Sequence, residues 1–552
     1  MTEPPQPPNQ PPTPSGYGHL PGPPQPGYGY PPQGANPYAQ QPQQPQQPPT
    51  VPLQPPAYGY GYPPPPPGPG LPGAPRPASG LPPKKKLTVL IAASAAALLV
   101  VGTVGYFGFV KGDDKDPKEP VAQGSGSTDA TPSGSPSVDK GDGSGNGGQE
   151  ADLNAGRKQG EDKVLWLKTA KIDGPGMGVE SEGQWVVGDT VVKSVWQNLT
   201  GYAVTDGKEK WTLAFPAVIC AVTPQATADG KTVVMYRDGE SDSASCTQMR
   251  VVDLKTGKEV WSKEVPKEQL FDIFTSPTVA ITGDTVAISR SGTASAFKVS
   301  NGDKLFASTQ GEGCKPDSYT AGNGKMVALA TCLDEDKTAE IQGTDPVSGK
   351  KNWTFRAPKG FKVTSIYSVD PLVVDLGNEA GKERSIVVIG ADGKQTATLT
   401  ADGKFDVGCG DTGIFRSLSA CSSAVADGGT LYLPTARDGK GNEIVAFDLA
   451  SGKAKWRSPA GDKRTLMPLK AANGQLIAYR KAEEDKGGEI LSIPVGGGTP
   501  TALLRNPSGP AAPVESSFSS PKVDYVDGRF FISVSRLRAK GKDEKLLMAF
   551  GK

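Results

Sequence analysis

The sequence predicts an all-β chain dominated by an eight-bladed β-propeller, and three observations carry that expectation. A motif of the form Ala/Val-x-Asp-x-x-Thr/Ser-Gly-Lys-x-x-Trp recurs after residue 161. Its turn glycines, at 207, 257, 302, 349, 393, 452, 497 and 551, are spaced by 50, 45, 47, 44, 59, 45 and 54 residues. The two ends of the region read as the two parts of one divided repeat. A fixed period in this range marks a ring or stack of supersecondary units.

Taken in order, residues 1–83 are rich in Pro, Gln, Gly and Tyr and almost free of charge. Proline removes backbone donors and favours the extended polyproline helix, and little apolar surface remains to offset ordering entropy. A disordered cytoplasmic tail is expected. Residues 84–110 follow, with Lys84, Lys85 and Lys86 before an uncharged apolar run over 87–110. That run meets the roughly 20 residues a membrane helix needs. The basic flank places the N-terminus inside and the rest outside the plasma membrane by the positive-inside tendency. The run is too long and lies too far along the chain for a signal peptide. Residues 111–160, rich in Gly, Ser, Asp and Lys, read as a flexible linker.

Residues 161–552 hold the repeats. The clearest copies end at Trp211, Trp261, Trp353 and Trp456, and their turns are built on Gly207, Gly257, Gly349 and Gly452. Asp and Gly suit a tight turn, because Gly tolerates positive φ and Asp bonds its own backbone. The Trp that follows is expected to pack its strand against the neighbouring repeat. Earlier strands, such as those after Gly230, Gly283 and Gly428, complete four strands per unit, the blade of a propeller. The mean spacing of about 49 residues divides the region into eight blades, or seven if one repeat is misread. The chain stops at Phe550-Gly551-Lys552 without an outer strand, and residues 160–166, ending at Trp166, look like the missing piece. Shared closure of the last blade would remove the ring's free edges.

All six cysteines lie on the expected outer side. Their clustering favours Cys220–Cys246, Cys314–Cys332 and Cys409–Cys421, each inside one repeat and each adding about 2–4 kcal/mol. The 59 basic and 58 acidic residues give a net charge of +1, which supplies no general attraction to nucleic acid. The single histidine, His19, lies in the tail. The repeat region therefore has no imidazole for a nucleophile–histidine pair, a His-ligated zinc or a His general base. Gly322-Asn323-Gly324-Lys325 lacks the remaining phosphate-loop residues and reads as a hairpin turn. Asp334-Glu335-Asp336 reads as a solvated hairpin tip.

The tandem motif, with Trp211, Trp261, Trp353 and Trp456, resembles pyrroloquinoline-quinone-type propeller repeats over about 161–552. The layout is similar to actinobacterial membrane-anchored propellers grouped with the outer-membrane assembly factor BamB. The resemblance implies eight four-stranded sheets with interlocking Trp contacts. It also implies either a quinone-dependent alcohol or sugar dehydrogenase or a non-catalytic scaffold. The adjacent-cysteine disulfide common in those dehydrogenases has no counterpart here, since no Cys-Cys dipeptide occurs. No lipid-attachment cysteine occurs near the apolar run either, a departure from BamB.

Charged hairpins between second and third strands, such as 237–242, 333–337, 377–383, 437–443 and 483–485, are expected to share one face as an acidic rim. Arg536, Arg538, Lys540 and Lys542 would form its basic sector. The expectation is a non-catalytic, membrane-anchored extracytoplasmic binding scaffold. It would use no cofactor and no metal, and a protein or cell-envelope partner would dock on the hairpin face. The alternatives are a quinone-dependent dehydrogenase and a sensor that signals to the Pro-rich tail.

Overall fold

Inner strands such as Lys231–Tyr236 (Lys-Thr-Val-Val-Met-Tyr) are nearly continuous in apolar residues, because both of their faces are buried. Val233 and Met235 point to one neighbouring blade, Val234 and Tyr236 to the other. Outer strands such as Lys258–Glu264 are mostly exposed and correspondingly polar. This contrast arises when sheets stand side by side around an axis, each burying alternate side chains against two neighbours. The computed structural model describes residues 152–174, 178–309, 313–378, 383–409, 421–538 and 540–552. The expected tail (1–83), membrane segment (84–110) and nearly all of the expected linker (111–160) lie outside these residues. Among the described residues no helix is long and apolar enough to cross a membrane.

Eight four-stranded antiparallel sheets are present, so eight blades replace the alternative of seven. Blade 1 starts at Gln184–Val187 and blade 7 ends at Thr501–Arg505, each sheet ordered as its strands occur in the chain. Blade 8 is composite. It takes Lys522–Val526, Arg529–Ser533 and Lys540–Gly551 from the C-terminus and Lys163–Asp173 from the N-terminal end of the ring. This last pair runs from Lys163↔Gly551 to Asp173↔Lys540 and closes the circle, as the divided repeat predicts. A two-residue ladder, Val179↔Leu537 and Glu180↔Arg536, fastens the crossing into blade 1. Gly551 is therefore a strand residue rather than an eighth turn glycine.

Residues 153–155, read from composition as part of the end of the linker, contact the ring. Leu153 is 8% exposed and sits in the cluster between blades 7 and 8. Asn154 donates Nδ2 to Val164 O at 3.0 Å and accepts from Val164 N at 2.9 Å. Ala155 O faces Gly509 so closely that a Cβ there would lie 2.7 Å away.

The described core is eight apolar clusters, one between each pair of adjacent blades. On the outer surface an aromatic side chain from one blade lies over the turn glycine of the next. The pairs are Trp166–Gly207, Trp211–Gly257, Trp261–Gly302, Phe306–Gly349, Trp353–Gly393 and Trp456–Gly497. These glycines have φ between +66° and +89°, and a Cβ on Gly257 would sit 2.2 Å from Trp211 Cδ2. Trp166, Trp261 and Trp456 also donate Nε1–H to Val204, Val299 and Val495 O at 3.3, 2.7 and 3.0 Å. Phe306 stands where the repeat motif calls for Trp, which is why sequence reading misses it. Gly452 meets backbone instead of an aromatic ring. Its contact is Thr398 O, and Thr400 N donates to Gly452 O at 2.8 Å.

Trp166 is wholly buried, whereas Trp261 is half-buried. Trp166→Ala is expected to cost about 3–5 kcal/mol and Trp261→Ala less, measured by denaturant unfolding. Gly257→Ala should also destabilise strongly, because the added Cβ meets Trp211 and positive φ disfavours it. Wild-type midpoints for Gly257→Ala would contradict the interlocking role of these turns.

Candidate functional site

Antiparallel order sends the start of each innermost strand, the end of each outermost strand and every second-to-third-strand hairpin to one face. The starts of innermost strands from several blades converge there on a central funnel of about 880 Å³. Gln184, Ile219, Thr278, Leu466 and Lys522 open these strands in blades 1, 2, 3, 7 and 8. The hairpins expected around 237–242, 333–337, 437–443 and 483–485 do join second to third strands, so they share this face; 377–383 falls at the same place in blade 5, with 379–382 outside the described residues. Lys540 and Lys542, expected in the basic sector, open the long closing strand Lys540–Gly551 at the end where the second-to-third-strand connection of blade 8 arrives.

The funnel wall mixes apolar and polar residues and is balanced in charge. Glu180, Glu182 and Asp406 stand with Arg437, Lys481 and Lys522. Most are already paired: Lys522 with Glu182 at 3.0 Å, Arg437 with Glu483 at 3.6 Å, Glu180 with Arg536 at 2.7 Å. Lys481 has no ion pair among the described residues, and burial pulls its ammonium below the usual lysine range, with Asp406 opposing. Burial likewise raises the Glu180 carboxyl, against the pull of Arg536.

Behind the wall, at the seam of blades 8 and 1, sits a group the sequence gives no sign of. Lys193 is wholly buried in Thr190–Val195 and donates Nζ–H to Val534 O at 2.7 Å and to Ser181 O. Desolvation pulls its ammonium down to about 7, with Lys522 pushing the same way and Glu182 and Asp524 opposing. Asp524, on the innermost strand of blade 8, accepts from Gln184 Nε2 at 2.7 Å. Desolvation pushes its carboxyl up to about 6, with Gln184, Lys470, Lys193 and Lys522 opposing. Lysine in an alternating strand reads as a solvent-facing residue, which is why these two groups escape sequence analysis.

All three cysteine pairs form as their clustering predicts. Cys220–Cys246 ties the innermost strand of blade 2 to its face hairpin, and Cys314–Cys332 does the same at the entry to blade 4. Cys220 and Cys409 reach the funnel wall. One grouping of potential metal-ligating atoms occurs among the described residues, Cys314, Cys332 and Glu340, and its two sulfurs are joined in a disulfide. The Trp and Gly residues picked from the repeat lie on the outer circumference, so they build the ring rather than the funnel.

A family profile described as outer membrane protein assembly factor BamB matches residues 153–313, the first three blades with the closing strand. No curated protein matches the chain. Among solved structures, BamB from Moraxella catarrhalis is 13% identical, with a TM-score of 0.39 over 68% of this chain and 99% of its own. A europium-containing methanol dehydrogenase is 12% identical, with a TM-score of 0.43 over 71% and 93%. Quinohemoprotein alcohol dehydrogenase from Comamonas testosteroni is 15% identical, with a TM-score of 0.41 over 68% and 75%.

The buried pair gives a pH signature. Folded Asp524 holds a proton up to about pH 6 that the unfolded chain releases near 4, so its contribution to stability falls as pH rises across that window. Folded Lys193 loses its proton near 7 while the unfolded chain keeps it to about 10, so stability rises with pH between those values. The melting temperature of wild type minus that of Lys193→Met should therefore climb from pH 7 to pH 10. A difference that stays flat would contradict the burial of that ammonium.

Proposed function

We propose that this chain is a membrane-anchored, extracytoplasmic propeller that works as a non-catalytic binding scaffold, with its N-terminal tail inside the cell and the ring outside. One observation supports it above the others. A ring stiffened by aromatic-on-glycine contacts presents its long, charged hairpins around one funnel whose charges balance. Loops held by a rigid scaffold are where binding residues concentrate. The apolar run at 87–110 with its lysine flank supports the anchor and its orientation. A protein or cell-envelope component is the partner this face suits, because its charges are spread over separate hairpins instead of converging on one reactive centre.

The funnel walls fit a quinone cofactor poorly. Three carboxylates stand there with three cations, and two of the cations are already paired with acids of their own. An anionic quinone would meet as much repulsion as attraction. Purified full-length chain, supplied with pyrroloquinoline quinone and calcium, is expected to oxidise neither alcohols nor sugars. Turnover above the no-protein control would overturn the scaffold reading in favour of a dehydrogenase. Photo-crosslinkers placed at Glu240 and Glu484 in intact cells should capture the same partner from both hairpins. Labelling of unrelated proteins from each site would contradict a shared docking face.

A further inference from the structure

Three of the large apolar side chains most open to solvent belong to one short connection. Between blades 2 and 3, Leu270 is 87% exposed, Phe271 80% and Ile273 48%. Scattered apolar residues on a surface are ordinary, but a contiguous set on an ordered loop marks an interaction site. This loop is firmly held. Asp272, between Phe271 and Ile273, is wholly buried against Arg290, with Nε–Oδ1 at 2.6 Å and Nη2–Oδ2 at 2.7 Å. The Asp272 carboxylate also accepts Glu268 N at 2.9 Å. Phe274 turns inward beneath the Arg290 guanidinium, 4.4 Å away, and its carbonyl accepts Cys246 N at 2.9 Å. Gln269 Nε2 donates to Thr293 Oγ1 at 2.7 Å. The backbone is thus fixed in a form that turns two apolar side chains outward while a buried bidentate ion pair stands between them and the core.

We propose that this knuckle inserts into the surface of a phospholipid bilayer, the one spanned by the anchor. The inference rests on the anchor reading above. The charges of the loop favour lipid. Asp272 is neutralised by Arg290 and Glu268 by Lys304 at 2.7 Å, which leaves Lys267 as the loop charge without an ion pair among the described residues. An ammonium beside exposed Leu and Phe matches phosphate groups lying above acyl chains. The chain length also fits. Residues 111–151 separate the apolar run from the first described residue, and the flexible linker expected from their composition would reach roughly 35 Å. A tether of that reach keeps the ring near the bilayer, so weak insertion suffices. Asp238, Glu240 and Asp242 on the adjoining hairpin, against the single cation Arg237, favour a zwitterionic surface over an anionic one.

The test uses full-length chain reconstituted into phosphatidylcholine vesicles doped with doxyl-labelled lipid. All six native cysteines are in disulfides, so an introduced thiol takes an NBD label selectively. Labels go on Phe271→Cys, on Val347→Cys in an exposed turn of the opposite face, and on Ala96→Cys in the apolar run. The expected result is several-fold quenching at 271 and 96 with none at 347. Quenching at 96 but only the 347 level at 271 would overturn the knuckle while keeping the anchor. A 271 signal that responds to protein concentration and not to doxyl lipid would assign the knuckle to a second copy and overturn the proposal. No quenching at 96 would remove the anchor and overturn the proposal with it. Leu270→Ser with Phe271→Ser, labelled at Lys267→Cys, should lose the quenching that Lys267→Cys alone shows.

Discussion

The structure depends on one contact repeated around a circle: an aromatic face from one blade laid on the turn glycine of the next. A ring of separate sheets has no shared central core, so each seam must hold by itself. The apolar clusters between blades supply bulk burial, but burial alone does not fix the angle between sheets. The ring-on-glycine contact does, because the turn can approach an indole that closely only without a Cβ. Two seams lack the aromatic contact: at blades 5 and 6 a backbone hydrogen bond from Thr400 to Gly452 takes over, and at blades 7 and 8, where the divided blade has no such turn, the apolar cluster with Leu153, Leu504 and Phe530 holds the seam. The alanine-lined seam of blades 3 and 4 keeps the contact with the smaller ring of Phe306.

Closure of the ring turns these local contacts into one cooperative object. The closing ladder between Lys163–Asp173 and Lys540–Gly551 joins the two longest strands described, and its seam holds Trp166 and the buried Lys193. Leu153, buried between blades 7 and 8, and the bonds of Asn154 to Val164 extend that joint. With the circumference fixed, hairpins on the funnel face are free to vary in length and charge without loosening the scaffold. The outwardly turned Leu270 and Phe271 show the same division: an ion pair inside, a recognition surface outside.

Much of this was legible from residue patterns. The spacing of the motifs showed the number of blades, the two ends of the region the divided last blade, and the clustering of the cysteines their pairs, because each is a local feature of the chain. What stayed hidden has no such periodic mark. Phe306 replaces Trp, Gly551 imitates a turn glycine, and Leu153 sits in a stretch whose composition reads as linker. Lys193 and Asp524 look like the polar half of an alternating strand and acquire their character only from the blade that covers them. The funnel is built from strand starts distant in sequence, so no single stretch announces it.

Hydrogen exchange of the backbone amides of Lys163–Asp173 under native conditions tests ring closure most directly. Protection of the paired amides as strong as that of the inner strands Arg529–Ser533 and Thr190–Val195 is the result a closed ring requires. Exchange as fast as in exposed turns, with the inner strands still protected, would mean an open ring and would contradict it.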